Sequence, residues 1–336
     1  MARRLAVCYR RGVSAPTHTA RVYGPVPSRR FGISLGVDLV PRKVCCYDCI
    51  YCQVGRTTDL TATRATFFDP RQVVDEVARA LSSPEGPRAE IITLAGSGEP
   101  TLYRELDRIV DGLRDVTRLP LALLTNGALL WQEEVREVAL RFDLVAPSLD
   151  AADPETFQRV NRPAPELTLE LVLGGLRQLC ASHPGRCRLE ILLVKGINDS
   201  PRALSALAEV ARSLPRLEAV DLNTVVRPPA HTEISGLDPA ELREALAYFV
   251  GCPAGIVVPF ASTGESPTRG DDRLSLDQIR QLVARRPCSA ADLQVSLGLG
   301  LDRVRAICDK ALQQGLVWTE QRGETTYYRA GSTDNK

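Results

Sequence analysis

Short apolar segments alternate with amphipathic segments from about Leu35 to about Val258, and this alternation restricts the fold more than any other feature of the chain. The apolar segments have the length of buried strands, and they read SLGVDLV, EIITLAG, LALLTNG, LVAPSLD, RLEILLVKG and AVDLNTVV. The segments between them have helical spacing, as in RQVVDEVARAL, WQEEVREVALRF, LELVLGGLRQLC and ALSALAEVARSL. Near-continuous apolar strands separated by helices are typical of a parallel sheet covered by helices. We therefore predict an α/β fold built from six βα units.

Four helix starts are marked, because a capping side chain stands directly before a proline that suits the first helical position. The four pairs are Asp69-Pro70, Asp153-Pro154, Ser200-Pro201 and Asp238-Pro239. In a parallel βα barrel, functional groups gather at the carboxyl ends of the strands, so the residues that follow each strand are the first candidates for a site.

Three cysteines lie within eight residues of one another, namely Cys45, Cys49 and Cys52, with the spacing C-x3-C-x2-C. No fourth cysteine follows closely enough to complete a cage, whereas structural zinc sites and electron-carrying clusters take four protein ligands. Three ligands predict a metal centre with one position open to a small molecule. We expect no secretory segment, and adjacent Cys45 and Cys46 would make a poor disulfide framework.

Two other metal sites fit the same segment less well. A bacterial ferredoxin motif would use Cys46, Cys49 and Cys52, but Arg56 stands where its fourth cysteine belongs and Thr57 follows instead of proline. A zinc site would need a fourth ligand from a distant cysteine or histidine, and the spacing gives such a site no support. The histidines of the chain are His18, His183 and His231.

With Tyr51 the segment reads C-x3-C-x-aromatic-C and resembles the signature of the radical SAM superfamily. The resemblance implies a partial (βα)6 TIM-type barrel, in which Cys45, Cys49 and Cys52 bind three irons of a [4Fe–4S] cluster. It implies that the fourth iron takes the amino and carboxylate groups of S-adenosylmethionine (SAM), whose reductive cleavage leaves a 5′-deoxyadenosyl radical that abstracts hydrogen from an unidentified substrate. The cofactors would carry this chemistry, and the protein would supply position and exclusion of solvent. We expect Cys46 to point away from the cluster.

The segment AGSGEPTL follows the second predicted parallel strand and resembles the GGE-type motif that holds the amino group of SAM in this superfamily. By that resemblance Gly96 and Gly98 bring the backbone close to the ligand, and Glu99 accepts from its ammonium group. Ser97, between the glycines, departs from the family pattern but belongs to the same predicted site. A Gly-rich turn on its own is more often a plain turn, and its place one βα unit after the cysteines favours binding.

Further polar residues follow the third and fourth strands. Asn126, Ser148 and Asp150 are suited to the ribose hydroxyls or the methionine carboxylate of SAM, and Tyr51 offers its ring and neighbouring backbone to the adenine. A turn at Asn126 and a helix cap at Asp150 explain those two positions equally well. Candidates for contacts with the second substrate at the mouth are Ser28, Arg29, Arg30, Lys195, Asn198, Asn223, Arg227, His231 and Glu233. For His231 alone, a surface position is favoured.

Several segments together look like a subgroup of radical SAM proteins that is often grouped with wyosine-type tRNA-modifying synthases. They are PSRR, SLGVDL-x-P-x-K, CIYCQ-x-GRT, GSGEPTL and NT-x-x-RP, over roughly residues 22 to 260. The subgroup suggests RNA as a substrate, but wyosine synthases bind a second cluster through three upstream cysteines, and here Cys8 alone lies upstream. Two alternatives stay open: an enzyme that acts on a protein, peptide or small metabolite, and a regulator in which the cluster senses redox state.

We predict five segments: a flexible arm (residues 1–21), a barrel (22–260), a linker (261–273), a small domain (274–331) and a tail (332–336). Three helices and a β-hairpin in the small domain are typical of a winged helix-turn-helix. Its third helix and wing would present Arg303, Arg305, Lys310 and Arg322 to a nucleic-acid groove. However, residues 274–336 carry nine basic and seven acidic residues. A net charge of +2 is weak for a nucleic-acid binder, so a protein-contact or structural role is slightly favoured.

Composition agrees with a cytoplasmic enzyme. A chain of 336 residues with 44% hydrophobic and 25% charged residues has an ordinary globular profile, with length for one large and one small domain. The formal net charge of +1 disfavours a surface that coats polyanions generally. No apolar run approaches the roughly 18 residues of a membrane span. Ten cysteines without an export signal imply a reducing compartment, and reduction of a cluster there would need an electron donor such as flavodoxin or ferredoxin.

Overall fold

The structure is a computed structural model that describes residues 21–28, 31–83, 88–257 and 272–330. Most of the predicted arm and linker, all of the predicted tail, and Arg29 and Arg30 lie outside these described residues. Within them, none of the helices has the length and apolar character needed to cross a bilayer.

Ten strands lie in the larger, N-terminal part of the described chain. They are β1 (Val22–Ser28), β2 (Gly32–Val37), β3 (Val44–Cys45), β4 (Asp59–Leu60), β5 (Ile91–Leu94), β6 (Leu121–Thr125), β7 (Leu144–Pro147), β8 (Arg186–Leu193), β9 (Ala219–Thr224) and β10 (Ala254–Ile256). Eight of them form one sheet in the order β1-β2-β5-β6-β7-β8-β9-β10, and β3 pairs with β4 separately. All neighbours from β2 to β10 are parallel, whereas β1 runs antiparallel to β2. The predicted α/β fold is therefore confirmed, and β1 and β10 extend the predicted six parallel strands at the two edges.

Seven helices connect these strands and cover the sheet. They are α1 (Pro70–Ser82), α2 (Leu106–Val116), α3 (Glu133–Ala139), α4 (Pro154–Val160), α5 (Leu169–Ser182), α6 (Pro201–Ser213) and α7 (Pro239–Leu246). The four predicted helix starts are confirmed, since Asp69, Asp153, Ser200 and Asp238 each accept a hydrogen bond from a backbone N–H of the first turn. Helices return the chain to the start of the next parallel strand, with α4 and α5 together between β7 and β8, so the loops that follow the strands meet at one end of the sheet.

The helices bury one apolar stripe against the sheet. In α2 the buried residues Leu106, Ile109, Val110 and Leu113 recur at helical spacing. Each such side chain contributes about 1.5–3 kcal/mol when it is fully removed from water. They belong to one large core that also contains the inner strands, for example Leu94 and Leu123.

A smaller C-terminal unit spans residues 272–330. Its elements are α8 (Asp272–Arg285), β11 (Cys288–Ser289), α9 (Ala290–Leu297), α10 (Leu301–Gln313), β12 (Val317–Arg322) and β13 (Thr325–Ala330). The three strands form an antiparallel sheet in the order β11-β13-β12, and the hairpin turns at Gly323, whose φ of +56° suits glycine. The three predicted helices and the predicted hairpin are present, although α8 begins at Asp272 rather than at residue 274.

This unit shares a core with the first strand of the large sheet. Val26 of β1 is buried in the same apolar cluster as Ile279 and Leu282, and Tyr23 packs against that cluster. The guanidinium carbon of Arg285 lies 4.5 Å from the centre of the Tyr23 ring, a cation–π distance. The unit is therefore packed onto the edge of the large sheet by apolar burial rather than tethered beside it.

Polar contacts attach the same unit to the loop that follows β9. Arg227 Nη2 lies 2.8 Å from Asp292 Oδ1, and the Tyr327 hydroxyl donates to the Val226 carbonyl at 2.8 Å. Arg322, at the tip of the hairpin, donates to the Ile234 carbonyl at 2.9 Å. The C-terminal unit thus covers the carboxyl end of the parallel strands.

Candidate active site

A cavity of about 950 Å³ lies between the carboxyl ends of the parallel strands and the C-terminal unit. All the predicted metal and cofactor residues line it except Ser97 and Asp150. Those that line it are Cys45, Cys49, Tyr51, Cys52, Gly96, Gly98, Glu99, Asn126 and Ser148. A volume of this size is at the upper end of the range for ligand sites in proteins.

The loop after β2 holds the three cysteines in a fixed backbone arrangement. The Cys52 N–H donates to the Cys49 carbonyl at 3.1 Å, which forms a tight turn within the motif. The Ile50 N–H donates to the Val160 carbonyl at the end of α4, at 3.0 Å. Cys45 lies in β3, whose pairing with β4 anchors the other end of the loop. The sequence between the cysteines is therefore tied to two separate elements of the barrel.

Each of the three sulfurs has an N–H donor from a different part of the fold. The pairs are Lys43 Nζ with Cys52 Sγ at 3.2 Å, Asn126 Nδ2 with Cys45 Sγ at 3.6 Å, and Asn161 Nδ2 with Cys49 Sγ at 3.6 Å. These contacts suit thiolates, because an ionised sulfur is the stronger acceptor.

Burial nevertheless disfavours bare thiolates at this place. Burial raises the pKa of Cys45 to about 12, and the carboxylate of Glu99 adds to this effect. Burial also raises the pKa of Cys49, with contributions from Asp150 and from the neighbouring sulfurs. Iron ions supply the positive charge that such a set of sulfurs lacks, since a coordinating thiol is deprotonated by its metal. The donor chemistry therefore fits an iron–sulfur cluster.

The geometry differs from that of a site for a single ion. Among the described residues, no group of three or more His, Cys, Asp or Glu side chains converges closely enough to hold one metal ion. A mononuclear zinc site needs its ligands about 2.0–2.3 Å from a common point, whereas each thiolate of an iron–sulfur cluster binds its own iron. The role of the three cysteines as cluster ligands remains a prediction.

Cys46 lies outside this arrangement, as expected. Its side chain is completely buried in the large core and does not line the cavity. Its carbonyl accepts from the Ala164 N–H at 2.9 Å. The residue therefore packs behind the loop.

Glu99 is buried at the bottom of the cavity and accepts four hydrogen bonds. Its Oε1 accepts from the Thr101 N–H at 3.0 Å and from the Thr101 and Thr125 hydroxyls at 2.6 Å each, and its Oε2 accepts from the Asn126 N–H at 2.7 Å. Burial raises the pKa of Glu99, although these hydrogen bonds act in the opposite direction. Because a carboxylate oxygen has two lone pairs, Oε2 retains the capacity to accept from an ammonium group.

The glycines beside Glu99 are required by contacts within the protein. A Cβ at Gly96 would lie 2.2 Å from the Asp38 carboxyl carbon, and a Cβ at Gly98 would lie 2.0 Å from the Val44 carbonyl oxygen. Both distances are impossible for a real side chain, so close approach of Asp38 and of the cysteine loop explains the motif without a ligand. Both glycines still line the cavity.

Ser97 does not line the cavity, and its side chain binds Asp38 instead of making the predicted contact with SAM. Its hydroxyl donates to Asp38 Oδ2 at 2.7 Å, and its N–H lies 3.1 Å from both carboxylate oxygens. Asp38 is buried, and a buried carboxylate needs such donors. The same oxygen, Asp38 Oδ2, lies 3.5 Å from Arg285 Nε, so Asp38 connects the glycine loop with the C-terminal unit.

Asp150 has a role that neither sequence interpretation described. Its Oδ2 accepts from the Tyr51 hydroxyl at 2.5 Å and from Asn161 Nδ2 at 2.8 Å, and its Oδ1 accepts from the Leu192 N–H at 2.9 Å. It does not line the cavity, and the cap of α4 is Asp153. Asp150 thus holds the Tyr51 ring and the amide of Asn161 in place.

Comparison with known proteins identifies the family. Residues 39–207, which contain the cysteine loop, the glycine motif and the strands to β8, match the family described as Radical SAM superfamily. The chain belongs to the radical SAM superfamily. Membership implies an enzyme with an iron–sulfur cluster and SAM as cofactors.

The chain is similar to proteins from three other organisms. A UPF0026 protein of Methanocaldococcus jannaschii is 35% identical over 227 residues, which cover 68% of this chain and 70% of that protein, so the chain belongs to this group as well. The GTPase Obg of Brachyspira hyodysenteriae is 32% identical over 303 residues; the match covers 90% of this chain and 44% of that protein, so this chain spans less than half of its length. A radical SAM methyltransferase from Sphaerobacter thermophilus has a TM-score of 0.52 at 21% identity, over 66% of this chain and 65% of that chain, a likeness of fold alone.

Of the candidates for a second substrate of this radical SAM protein, three line the cavity: Ser28, Asn223 and Arg227. Arg29 and Arg30 lie outside the described residues, and the remaining described candidates make contacts within the protein. Asn198 is completely buried and donates to the backbone carbonyls of Asp150 and Leu192. Lys195 pairs with Glu241 at 2.5 Å. His231 lies between Arg162 and Glu233, at 2.7 and 2.9 Å, so it is not at the cavity.

Three residues of the site did not emerge from the sequence. Lys43 stands two positions before Cys45, within the SLGVDL-x-P-x-K segment. That segment supported the family resemblance, but no role was predicted for Lys43 itself. Asp38 lies in the same segment and was likewise given no role, whereas Asn161 gave no local signal, because it reaches its partners only through the tertiary fold. Asn161 is 112 residues from the cysteine that it contacts.

Proposed function

We propose that this protein is a radical SAM enzyme that holds a [4Fe–4S] cluster through Cys45, Cys49 and Cys52 and binds SAM beside Glu99. The observation that carries the proposal is the meeting of these residues in one cavity at the carboxyl end of a parallel sheet. When bound, the cluster and SAM supply reductive cleavage of the sulfonium and a 5′-deoxyadenosyl radical for hydrogen abstraction. The electron comes from an external donor, for which flavodoxin or ferredoxin is our proposal.

The side chains of the protein bind and orient in this scheme. Glu99 Oε2 accepts from the SAM ammonium, and its remaining lone pairs are occupied by protein donors that prevent it from turning. Tyr51, fixed by Asp150, presents one wall of the cavity. No described side chain needs to act as a general base, because the first step transfers an electron and not a proton.

The test is anaerobic reconstitution with iron and sulfide, followed by dithionite and SAM, with 5′-deoxyadenosine as the product measured. We expect cluster loading and 5′-deoxyadenosine in the wild type and in Cys46→Ala, and neither in Cys49→Ala. Cys46 is a matched control because it is a cysteine of the same loop that does not line the cavity. A loaded cluster that yields no 5′-deoxyadenosine, or purified protein that contains a single zinc ion, would refute the proposal.

We further propose that the C-terminal unit is a winged helix that serves as a wall of the active site, and that the substrate is a small molecule. Arg322, at the tip of the hairpin, is bonded to the Ile234 carbonyl of the barrel, and Arg305 lines the cavity. Arg322 is therefore turned towards the barrel instead of a nucleic-acid groove, whereas Arg305 lines the cavity with a side chain that is still largely exposed. A cavity of about 950 Å³ that must also hold the cofactors leaves room for a small substrate.

The RNA-modifying alternative makes a different prediction. Tight binding of tRNA that weakens steeply with salt would support it, because each phosphate contact releases counterions. Our proposal expects no such binding at low salt. The redox-sensing alternative requires DNA binding that changes with cluster oxidation, and production of 5′-deoxyadenosine by the purified protein would argue against it.

A further inference from the structure

We propose that Lys43, together with the amides of Asn126 and Asn161, sets the reduction potential of the cluster by donating hydrogen bonds to its three cysteine sulfurs. This inference rests on the proposed function, because it concerns the cluster that the cysteines would hold. The three residues are positioning residues: they act on the ligands and do not touch the substrate.

The side chain of Lys43 is directed at a sulfur although it is almost completely buried. Lys43 is 5% exposed, and its Nζ lies 3.2 Å from Cys52 Sγ. In the described part of the chain no carboxylate forms an ion pair with it. A buried polar side chain needs a hydrogen-bond partner, and the sulfur of Cys52 is the acceptor that the fold provides.

The backbone of Lys43 is held in an unfavourable conformation by its neighbours. Its φ is +63°, in the left-handed region that favours glycine. Its N–H donates to the Ser97 carbonyl at 2.8 Å, and its carbonyl accepts from the N–H groups of Thr58 and Asp59 at 3.1 and 3.2 Å. Strained residues of this kind persist where the surrounding structure requires them, and they cluster at functional sites. Glycine would satisfy the backbone without strain, so the lysine side chain is what this position needs.

The orientation of the two amides follows from their other contacts. The Oδ1 of Asn126 accepts from the Ala128 N–H at 2.9 Å, so its Nδ2 is the atom that faces Cys45. The Nδ2 of Asn161 donates to Asp150 Oδ2 at 2.8 Å, and a carboxylate can only accept, so the same nitrogen also faces Cys49. Both donors are therefore assigned by the network and do not depend on an arbitrary choice between oxygen and nitrogen.

The effect on the potential has a definite sign. Reduction of a [4Fe–4S]2+ cluster by one external electron gives [4Fe–4S]+, with more negative charge shared among the sulfurs. N–H donors and a nearby ammonium stabilise that reduced form, so they raise the potential, and hydrogen bonds to the sulfurs are among the factors that set it. Removal of the Lys43 donor should lower the reduction equilibrium about tenfold, which corresponds to about 59 mV for a one-electron couple.

The experiment is a redox titration of the reconstituted full-length protein, followed by electron paramagnetic resonance. The variants are Lys43→Met, which removes both donor and charge, Lys43→Gln, which keeps a neutral donor, and Lys43→Arg, which keeps both. Lys310→Met is the matched control, because Lys310 is an exposed residue of α10. We expect Lys310→Met and Lys43→Arg to match the wild type, Lys43→Gln to lie lower, and Lys43→Met to be lowest.

The outcomes distinguish this inference from the proposed function. If the wild type binds no [4Fe–4S] cluster, the proposed function itself is wrong. If all variants bind the cluster and the Lys43→Met and Lys43→Gln potentials equal that of the wild type, the inference is wrong and Lys43 serves the loop only. If Lys43→Met does not load the cluster, the Gln and Arg variants carry the comparison: an ordered decrease from Arg to Gln supports the inference, and equal potentials overturn it.

Discussion

Replacement of Asp292 by asparagine is the sharpest test of whether the C-terminal unit covers the active site. Asp292 Oδ1 pairs with Arg227 at 2.8 Å, and the two side chains are 23% and 9% exposed. Its Oδ2 accepts from the Ser289 N–H at 2.9 Å. Asparagine has one oxygen and one amide nitrogen, so either the pair with Arg227 or the cap at Ser289 loses its acceptor. Arg227 would also remain buried without a counter-charge.

The expected cost follows from these contacts. Although burial raises the pKa of Asp292, the charge of Arg227 and the bonds from Ser289 lower it overall, which shows that the carboxylate is stabilised in its charged form. Loss of a hydrogen bond to a charged group costs about 1.5–3 kcal/mol. Since about 1.4 kcal/mol is a factor of ten in an equilibrium constant, the C-terminal unit of Asp292→Asn should be detached roughly 10 to 150 times more often.

The assay measures access to the cavity cysteines of the metal-free protein. A maleimide attached to a large polyethylene glycol chain reaches Cys45, Cys49 and Cys52 only when the unit detaches, and site-resolved mass spectrometry follows each thiol. We expect labelling of these three sites by the polymer reagent to accelerate by the same factor. Iodoacetamide is small enough to enter the covered cavity, so it should label Asp292→Asn and the wild type at equal rates, and these rates should be slow because burial raises the pKa of Cys45 and of Cys49. Asp302→Asn is the control, because Asp302 is fully exposed on α10. Equal labelling rates in Asp292→Asn and the wild type would refute the covering role.

Three further predictions concern the barrel side of the site. Glu99→Gln should weaken SAM binding to the reconstituted protein about tenfold or more, because a charge-assisted hydrogen bond is lost. Equilibrium dialysis measures the affinity for SAM, and an unchanged affinity would show that Glu99 does not bind SAM. Tyr51→Phe should lower the free energy of unfolding by about 1–3 kcal/mol, since Asp150 loses one of its donors. Urea titration at pH 7 measures this free energy, and an unchanged value would show that the hydrogen bond between Tyr51 and Asp150 contributes nothing to stability. Burial raises the pKa of Glu99 and of Asp150, so the native state binds their protons more tightly than the unfolded chain does. Their contribution to stability is therefore present below the unfolded pKa near 4 and is lost as the pH rises towards the native pKa. Asp150→Asn should reduce this loss of stability in urea titrations across pH 4–7. An unaltered dependence of the free energy of unfolding on pH would contradict the raised pKa of Asp150.

The local sequence was sufficient to predict much of the large α/β unit. Continuous apolar segments identified the six inner strands, and cap–proline pairs such as Asp153-Pro154 identified helix starts, because both signals depend on neighbouring residues. The edge strands β1 and β10 were not predicted. A strand at an edge is defined by its pairing partner, and the irregular pairing of β1 with β2 leaves no simple alternation in its sequence.

The site was predicted in part. The residues that were given the wrong role are those whose side chains bond to partners distant in the sequence. The positions of Cys45, Cys49 and Cys52 in the cavity follow from a compact motif. Ser97 was misassigned because Asp38, far away in sequence, takes its hydrogen bonds.

The sequence by itself determined the α/β class, the order of the parallel strands and the presence of three thiols at the end of the first of them, because periodicity, capping and motif spacing are properties of adjacent residues. Only the tertiary structure decided that Lys43, Asn126 and Asn161 each face one sulfur, that Asp150 supports Tyr51, and that the C-terminal unit lies over the cavity. Most of these contacts join residues that are far apart in the chain, and the contact of Lys43 with Cys52, nine positions apart, depends on how their loop folds. The partners are chosen by packing and by the need of buried polar groups for hydrogen bonds.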